Sequence, residues 1–144
     1  MKRMVADIMT RIVQYATPET TCRDLAARMK ETNIGSFPVC DAGVVVGMVT
    51  DRDLALRVLA EGREPSLTRV EEVMTKDVAC CNPGDRIDDA RVIMAERQIR
   101  RVPVVSDDGR LVGLVTLGKL AEVDGAMSGE VLKDVVQPVA GERR

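Results

Sequence analysis

The chain has 144 residues, 45% hydrophobic and 31% charged, with a formal net charge of -2; this suits one globular domain or two very small ones and excludes a disordered segment. The charge balance gives no electrostatic basis for holding nucleic acid, and one Tyr, one Phe and no Trp leave no stacking platform for single-stranded bases. No apolar run approaches the roughly 18 residues of a membrane span, and the start, MKRMVADIMT, has acidic and polar residues where a signal peptide has its apolar core. A cytoplasmic protein, binding neither DNA nor membrane, is expected.

From the N-terminus, VADIMT reads as a short amphipathic segment ending in Met-Thr. A brief strand is expected around Val13, then a turn at Pro18. TTCRDLAARMKETNI reads as a helix, with Thr21 as N-cap and Leu25, Met29 and the neighbouring alanines on one face. FPVC and VVVGMVT flank the turn DAG and predict a hairpin, and RDLALRVLAEG closes the series as a helix. The same order then recurs. VEEVMT is followed by a strand around Val78, a turn at Pro83, and the helix DRIDDARVIMAERQI with Ile87, Ala90 and Met94 on one face. The hairpin VPVVS, DDG, RLVGLVT and a shorter helix, GKLAEV, complete the second series.

The recurrence is a duplication. At an offset of 65, Val5, Met9, Thr10, Val13 and Pro18 match Val70, Met74, Thr75, Val78 and Pro83. At an offset of 66, Gly43, Gly47, Val49, Thr50 and Leu54 match Gly109, Gly113, Val115, Thr116 and Leu120. The added residue falls in the hairpin turn, where insertion costs least. The reading is one repeat over 1–62, a linker over 63–69, a second repeat over 70–124 and a tail over 125–144 holding a faint echo of the Met-Thr segment, VLKDVV. Neither half is large enough to cover both faces of its sheet. The fold class predicted is α/β (α+β): two pseudo-twofold-related repeats, each short helix-β-α-β-β-α, packed through their sheets.

With DIMT and EVMT, IGSFPVC and IRRVPVV, and GMVTDRD and GLVTLGK in register, the chain resembles a tandem pair of cystathionine-β-synthase-type (CBS) domains, a Bateman module, from about Val5 to Val123. The resemblance implies that adenine-containing ligands bind in clefts between the repeats, and that pairs associate further, here as a homodimer. The family's ribose motif falls on Gly47, Thr50 and Asp53. A carboxylate accepts from both ribose hydroxyls, a Thr one turn earlier aims at the same spot, and the glycine allows close backbone approach. As helix-start residues, Asp53 and Thr50 also fit a dipole partner and a cap.

The second repeat keeps Gly113 and Thr116 but carries Lys119 in the aspartate's place, and a lysine cannot accept from a diol. It also carries Arg97, Arg100 and Arg101 where the first repeat has Thr32, Gly35 and Ser36. The asymmetry is complementary. Thr50 and Asp53 are assigned to ribose and Arg100 or Arg101 to phosphate, while Arg97 also suits a solvated helix end. The resemblance implies that Met48, Val78, Ala79 and Pro103 line the base. The reciprocal half-site, Lys119 with Ser36, lacks both specificities.

There is no histidine, and Cys22, Cys40, Cys80 and Cys81 lack C-x-x-C spacing, so neither a Cys/His zinc site nor any other metal is assigned. The thiols are expected to be reduced, Cys40 and Cys80 in apolar strand runs where they are inert. No nucleophile or paired-carboxylate signature appears, so no enzyme activity and no required cofactor are expected. The reading is a regulatory sensor of AMP, ADP or ATP acting on an effector protein that the sequence does not identify. The alternatives are a ligand-independent dimeric scaffold, supported by the apolar excess of Leu54, Leu56, Val58 and Leu59, and a binder of NAD or S-adenosylmethionine.

Overall fold

The structure, a computed structural model, describes residues 3–123 and residue 125. The remainder of the tail, VLKDVV included, lies outside the described residues. Helix α1 spans Val5–Ile8, α2 Cys22–Thr32, and strands β1 and β2 Ser36–Asp41 and Val44–Thr50. Helix α3, Asp51–Leu54, continues as a π-helical stretch, Ala55–Leu59, and short 3-10 turns occupy Pro65–Leu67 and Val70–Glu72. Helix α4, Ile87–Arg97, strands β3, Arg101–Val105, and β4, Leu111–Thr116, and helix α5, Leu117–Val123, follow. Among the described residues no helix is long and apolar enough to cross a membrane.

The chain forms two compact units that cross the repeat boundaries. One is Gln14–Val78; the other joins the described residues up to Val13 with those from Ala79 onward. The cores state the exchange in side chains. Val70 and Val73, from the second repeat, are buried with Leu25, Phe37 and Val49. Val5 and Ile8, from the first, are buried with Met94, Val102 and Leu120. Each Met-Thr segment thus covers the hairpin of the other repeat. Complete burial of a side chain such as Leu25 or Phe37 contributes on the order of 1.5–3 kcal/mol, so the exchanged valines are part of what makes each small unit stable.

The two units are built alike. In the 14–78 unit, antiparallel β1 and β2 are flanked by single bridges, Ala16 parallel to Val39 and Thr75 antiparallel to Met48. In the other, β3 and β4 are flanked by Cys81 parallel to Val104 and Thr10 antiparallel to Leu114. The strands expected around Val13 and Val78 are therefore not strands. Pairing is confined to one residue three positions on, where Ala16 donates to Pro38 O at 2.9 Å and accepts from Cys40 N at 2.8 Å. Pro18 and Pro83, two residues further, bring no N–H to extend the ladder. Cys80 likewise lies in coil, beside the single bridging residue Cys81.

Thr21 caps α2 as expected, its hydroxyl accepting from Asp24 N at 3.1 Å. The buried face is Cys22, Leu25 and Met29; Ala26 and Ala27 are exposed, because the i, i+3, i+7 positions exclude them. In α4 the buried face is Ile87, Ala90 and Met94, as read from the sequence. The first hairpin turns through Ala42 and Gly43 with φ of 52° and 87°, the pair of positive values of a two-residue turn. The second takes a longer turn closed by Gly109, φ 83°, so the inserted residue is accommodated in the loop. Segment 63–69 is tied into the 14–78 unit: Thr68 is buried, its carbonyl accepting from Cys22 N at 2.8 Å. None of the four cysteines forms a disulfide. Burial pushes the Cys22, Cys80 and Cys81 thiols up, Cys81 to about 12 with help from Asp85, which holds them protonated and unreactive.

Candidate functional site

Thr50 ends β2 and caps α3, and this junction holds Thr50 and Asp53 against each other. The Thr50 hydroxyl accepts from Asp53 N at 3.1 Å, and Asp53 Oδ2 accepts from Thr50 N at 2.9 Å. This is a reciprocal capping box. It spends one carboxylate oxygen on the backbone and leaves Oδ1 facing Arg57 Nε at 4.0 Å, with the Asp53 side chain 17% exposed. The strand end is fixed from the other side as well, since Asp51 N donates to Gly35 O at 2.9 Å and Ser36 stands opposite Thr50 in the register.

The corresponding junction of the second repeat keeps the backbone and loses the chemistry. Lys119 N donates to the Thr116 hydroxyl at 3.1 Å, and Leu117 N donates to Arg100 O at 2.8 Å, as Asp51 does to Gly35. The Lys119 ammonium turns to Glu122, 3.8 Å away. It has no lone pair to return to the Thr116 amide, so the box is half made. Arg101 opens β3 opposite Thr116, and Arg100 precedes it; both are half-buried, while Arg97 is exposed at the end of α4.

The residues assigned to the base divide between the units. Met48 is half-buried on β2, two residues before Thr50 and so on the same face, with Pro38 opposite it on β1 and Thr75 bridged to it from the other side. Val78 is half-buried at the end of the same unit. Ala79 and Pro103 belong to the other unit, where Pro103 is buried and its carbonyl accepts from Cys81 N at 3.0 Å.

Two features escaped the sequence reading. Gly47, expected to admit a ligand to the backbone, also seats Met74: a Cβ there would lie 2.4 Å from the Met74 sulfur and 3.1 Å from Thr75 O. Gly113 seats Met9 in the same way, with the sulfur at 2.6 Å and Thr10 O at 3.0 Å. The second feature is Arg57. Its Nη1 donates to Val73 O at 2.9 Å and contacts Met74 O at 3.4 Å, while its Nε faces Asp53. The i, i+4 spacing of Asp53 and Arg57 was the available signal.

The comparisons with known proteins agree with this construction. The CBS domain family model matches residues 5–60 and 70–125. The CBS domain-containing protein YhcV of Bacillus subtilis is 42% identical over 133 residues, covering 91% of this chain and 94% of that protein. A conserved CBS domain protein of unknown function from Thermoplasma acidophilum superposes with a TM-score of 0.81 at 26% identity, over 95% of this chain and 76% of that one. A CBS domain pair crystallised with 5-methylthioadenosine and S-adenosyl-L-methionine superposes with a TM-score of 0.75 at 28% identity, over 87% and 98% of the two chains. With two copies of the motif set in order, and both hairpins built to one plan, the chain belongs to the CBS domain family as a tandem pair.

Proposed function

We propose that this chain is a non-enzymatic regulatory module that binds an adenine nucleotide, AMP, ADP or ATP, and passes its occupancy to a partner protein. The observation that carries the reading is the asymmetry at the two strand-to-helix junctions. Asp53 is held by the Thr50 amide through Oδ2, which leaves Oδ1 as an acceptor of fixed direction, whereas Lys119 offers a cation at the matching position. A ribose diol needs acceptors, and the half-buried carboxylate supplies one at low reorganisation cost. Arg100 or Arg101 meets the phosphate, and Met48, Val78, Ala79 and Pro103 line the base; joining residues of the two repeats in one site is part of the proposal. The related pair crystallised with two adenosyl compounds supports the ligand class. The arginines favour a phosphate over the sulfonium of S-adenosylmethionine, since like charges repel.

The test is titration calorimetry of the full chain with AMP, ADP, ATP, NAD and S-adenosylmethionine, beside Asp53→Asn. That substitution keeps an acceptor for the Thr50 amide while removing the charge. The reading predicts saturable binding of an adenine nucleotide, weakened at least about tenfold in the variant, as loss of a hydrogen bond to a charged group implies. Absence of heat with every ligand at millimolar concentration refutes it. A second reading, a self-associating scaffold, draws on Leu56 and Leu59, which are 50% and 77% exposed on the helix that follows the first hairpin. Sedimentation at several concentrations tests it, and a monomer throughout rules it out.

A further inference from the structure

The guanidinium of Arg57 reaches both the Asp53 carboxylate and the carbonyls of Val73 and Met74. It is anchored at the second, by Nη1 to Val73 O at 2.9 Å, and faces the first without closing a hydrogen bond, Nε to Oδ1 being 4.0 Å. A full ion pair would have spent Oδ1. At this distance the charge orients the carboxylate and leaves the lone pairs of Oδ1 to accept. The winding of the chain serves this placement. Beyond α3 the helix takes π form over Ala55–Leu59, closed by Ala60 N donating to Ala55 O at 2.9 Å, a form found often at functional sites.

The duplication supplies an internal comparison. At the offset of 66, Asp53 corresponds to Lys119 and Arg57 to Val123. Where the acceptor is absent the guanidinium is absent too, and Lys119 turns instead to Glu122. A surface arginine kept only to cap the carbonyls at the end of the 70–72 turn would be as useful in either unit. Its restriction to the half that carries the carboxylate ties it to that carboxylate.

We infer that Arg57 is a positioning residue for sugar recognition: it holds Asp53 Oδ1 toward a vicinal diol and thereby sets selectivity for ribose over 2′-deoxyribose. The inference rests on the proposed reading of Asp53 as the ribose acceptor. It also adds a link, since the same guanidinium holds the backbone of residues 73–74 in the segment that leads to Val78.

The experiment measures the affinities of AMP and 2′-deoxy-AMP for the full chain, for Arg57→Met and for Arg57→Lys. Hydrogen bonds to a charged acceptor predict a ribose preference of about 10–100-fold in the parent protein. Arg57→Met is expected to cut that ratio by about three- to tenfold, and Arg57→Lys to restore part of it by returning the charge. Thermal melts of all three proteins separate this from loss of fold, because a purely structural arginine lowers both affinities together and leaves their ratio unchanged. An unchanged ratio in Arg57→Met overturns the inference while the ribose reading stands. A parent protein that binds neither nucleotide, or both equally, overturns the ribose reading and this inference with it.

Discussion

Gly47→Ala separates two reasons for a glycine in β2, room for a ligand and room for Met74. An alanine Cβ would meet the Met74 sulfur at 2.4 Å, its Cγ at 2.9 Å and Thr75 O at 3.1 Å. Ordinary contact begins near about 3.5 Å, so the thioether must withdraw by roughly 1 Å. The carbonyl cannot follow, because Thr75 is fastened to Met48 by bonds of 2.9 and 2.8 Å. Overpacking of this kind costs about 1–3 kcal/mol. Met74→Ala alone removes a half-buried side chain, for which we expect about 1–2 kcal/mol, below the range for a fully buried methionine. The double variant should then be less destabilised than the sum of the singles by at least about 1 kcal/mol, the sign of a shared contact. Urea unfolding of the four proteins measures this cycle, and Gly113→Ala with Met9→Ala repeats it in the other unit. Strict additivity refutes the seat. A Gly47→Ala protein of unchanged stability that no longer binds nucleotide returns the glycine to the ligand.

Asp53→Ala removes the acceptor of the Thr50 amide and should cost about 1–2 kcal/mol without any ligand, whereas Asp53→Asn should cost less than about half of that; equal losses on thermal melting contradict the capping account. Ala42→Gly should stabilise by several tenths to about 1 kcal/mol, read as a raised urea midpoint, because Ala42 sits at φ 52° and glycine takes that region without steric cost. The fold raises the Cys81 thiol from 9.0 to about 12, so its contribution is full below pH 9 and is lost as pH rises toward 12. Cys81→Ala should flatten that alkaline loss in urea midpoints measured across the window, and an unchanged slope refutes the assignment.

The elements were legible wherever one residue type answers to one local need. Thr21 before CRDLAARM announced the cap, Ile87, Ala90 and Met94 announced a helix face, and the Gly-bearing turns announced two hairpins. The strands expected around Val13 and Val78 were misread, because the pairing there is one bridging residue, Ala16 or Cys81, which leaves no period in the sequence, and the alanines of α2 misled because alanine is at home on either face. The exchange was hidden by the duplication. Met9 and Met74 are identical and so are their seats, Gly113 and Gly47, so composition cannot say which segment covers which hairpin. The candidate site was half legible. Thr50 and Asp53 were singled out by the resemblance to the family's motif, but that one carboxylate oxygen is already committed, and that Arg57 faces the other, are matters of distance.

The repeats share main-chain bonds even at positions where their residue types differ. Ala16 and Cys81 make the same single bridge. Gly35 and Arg100 accept from the first amide of the following helix through the same carbonyl. Main-chain bonds of this kind tolerate any side chain, so they persisted through the divergence of residues 35 and 100 themselves. The two junctions differ in charge: Gly35 and Ser36 stand against Arg100 and Arg101, Asp53 against Lys119, and Arg57 against Val123. One backbone scheme, made twice, carries a carboxylate at one junction and cations at the other, and the proposed nucleotide reading rests on that difference.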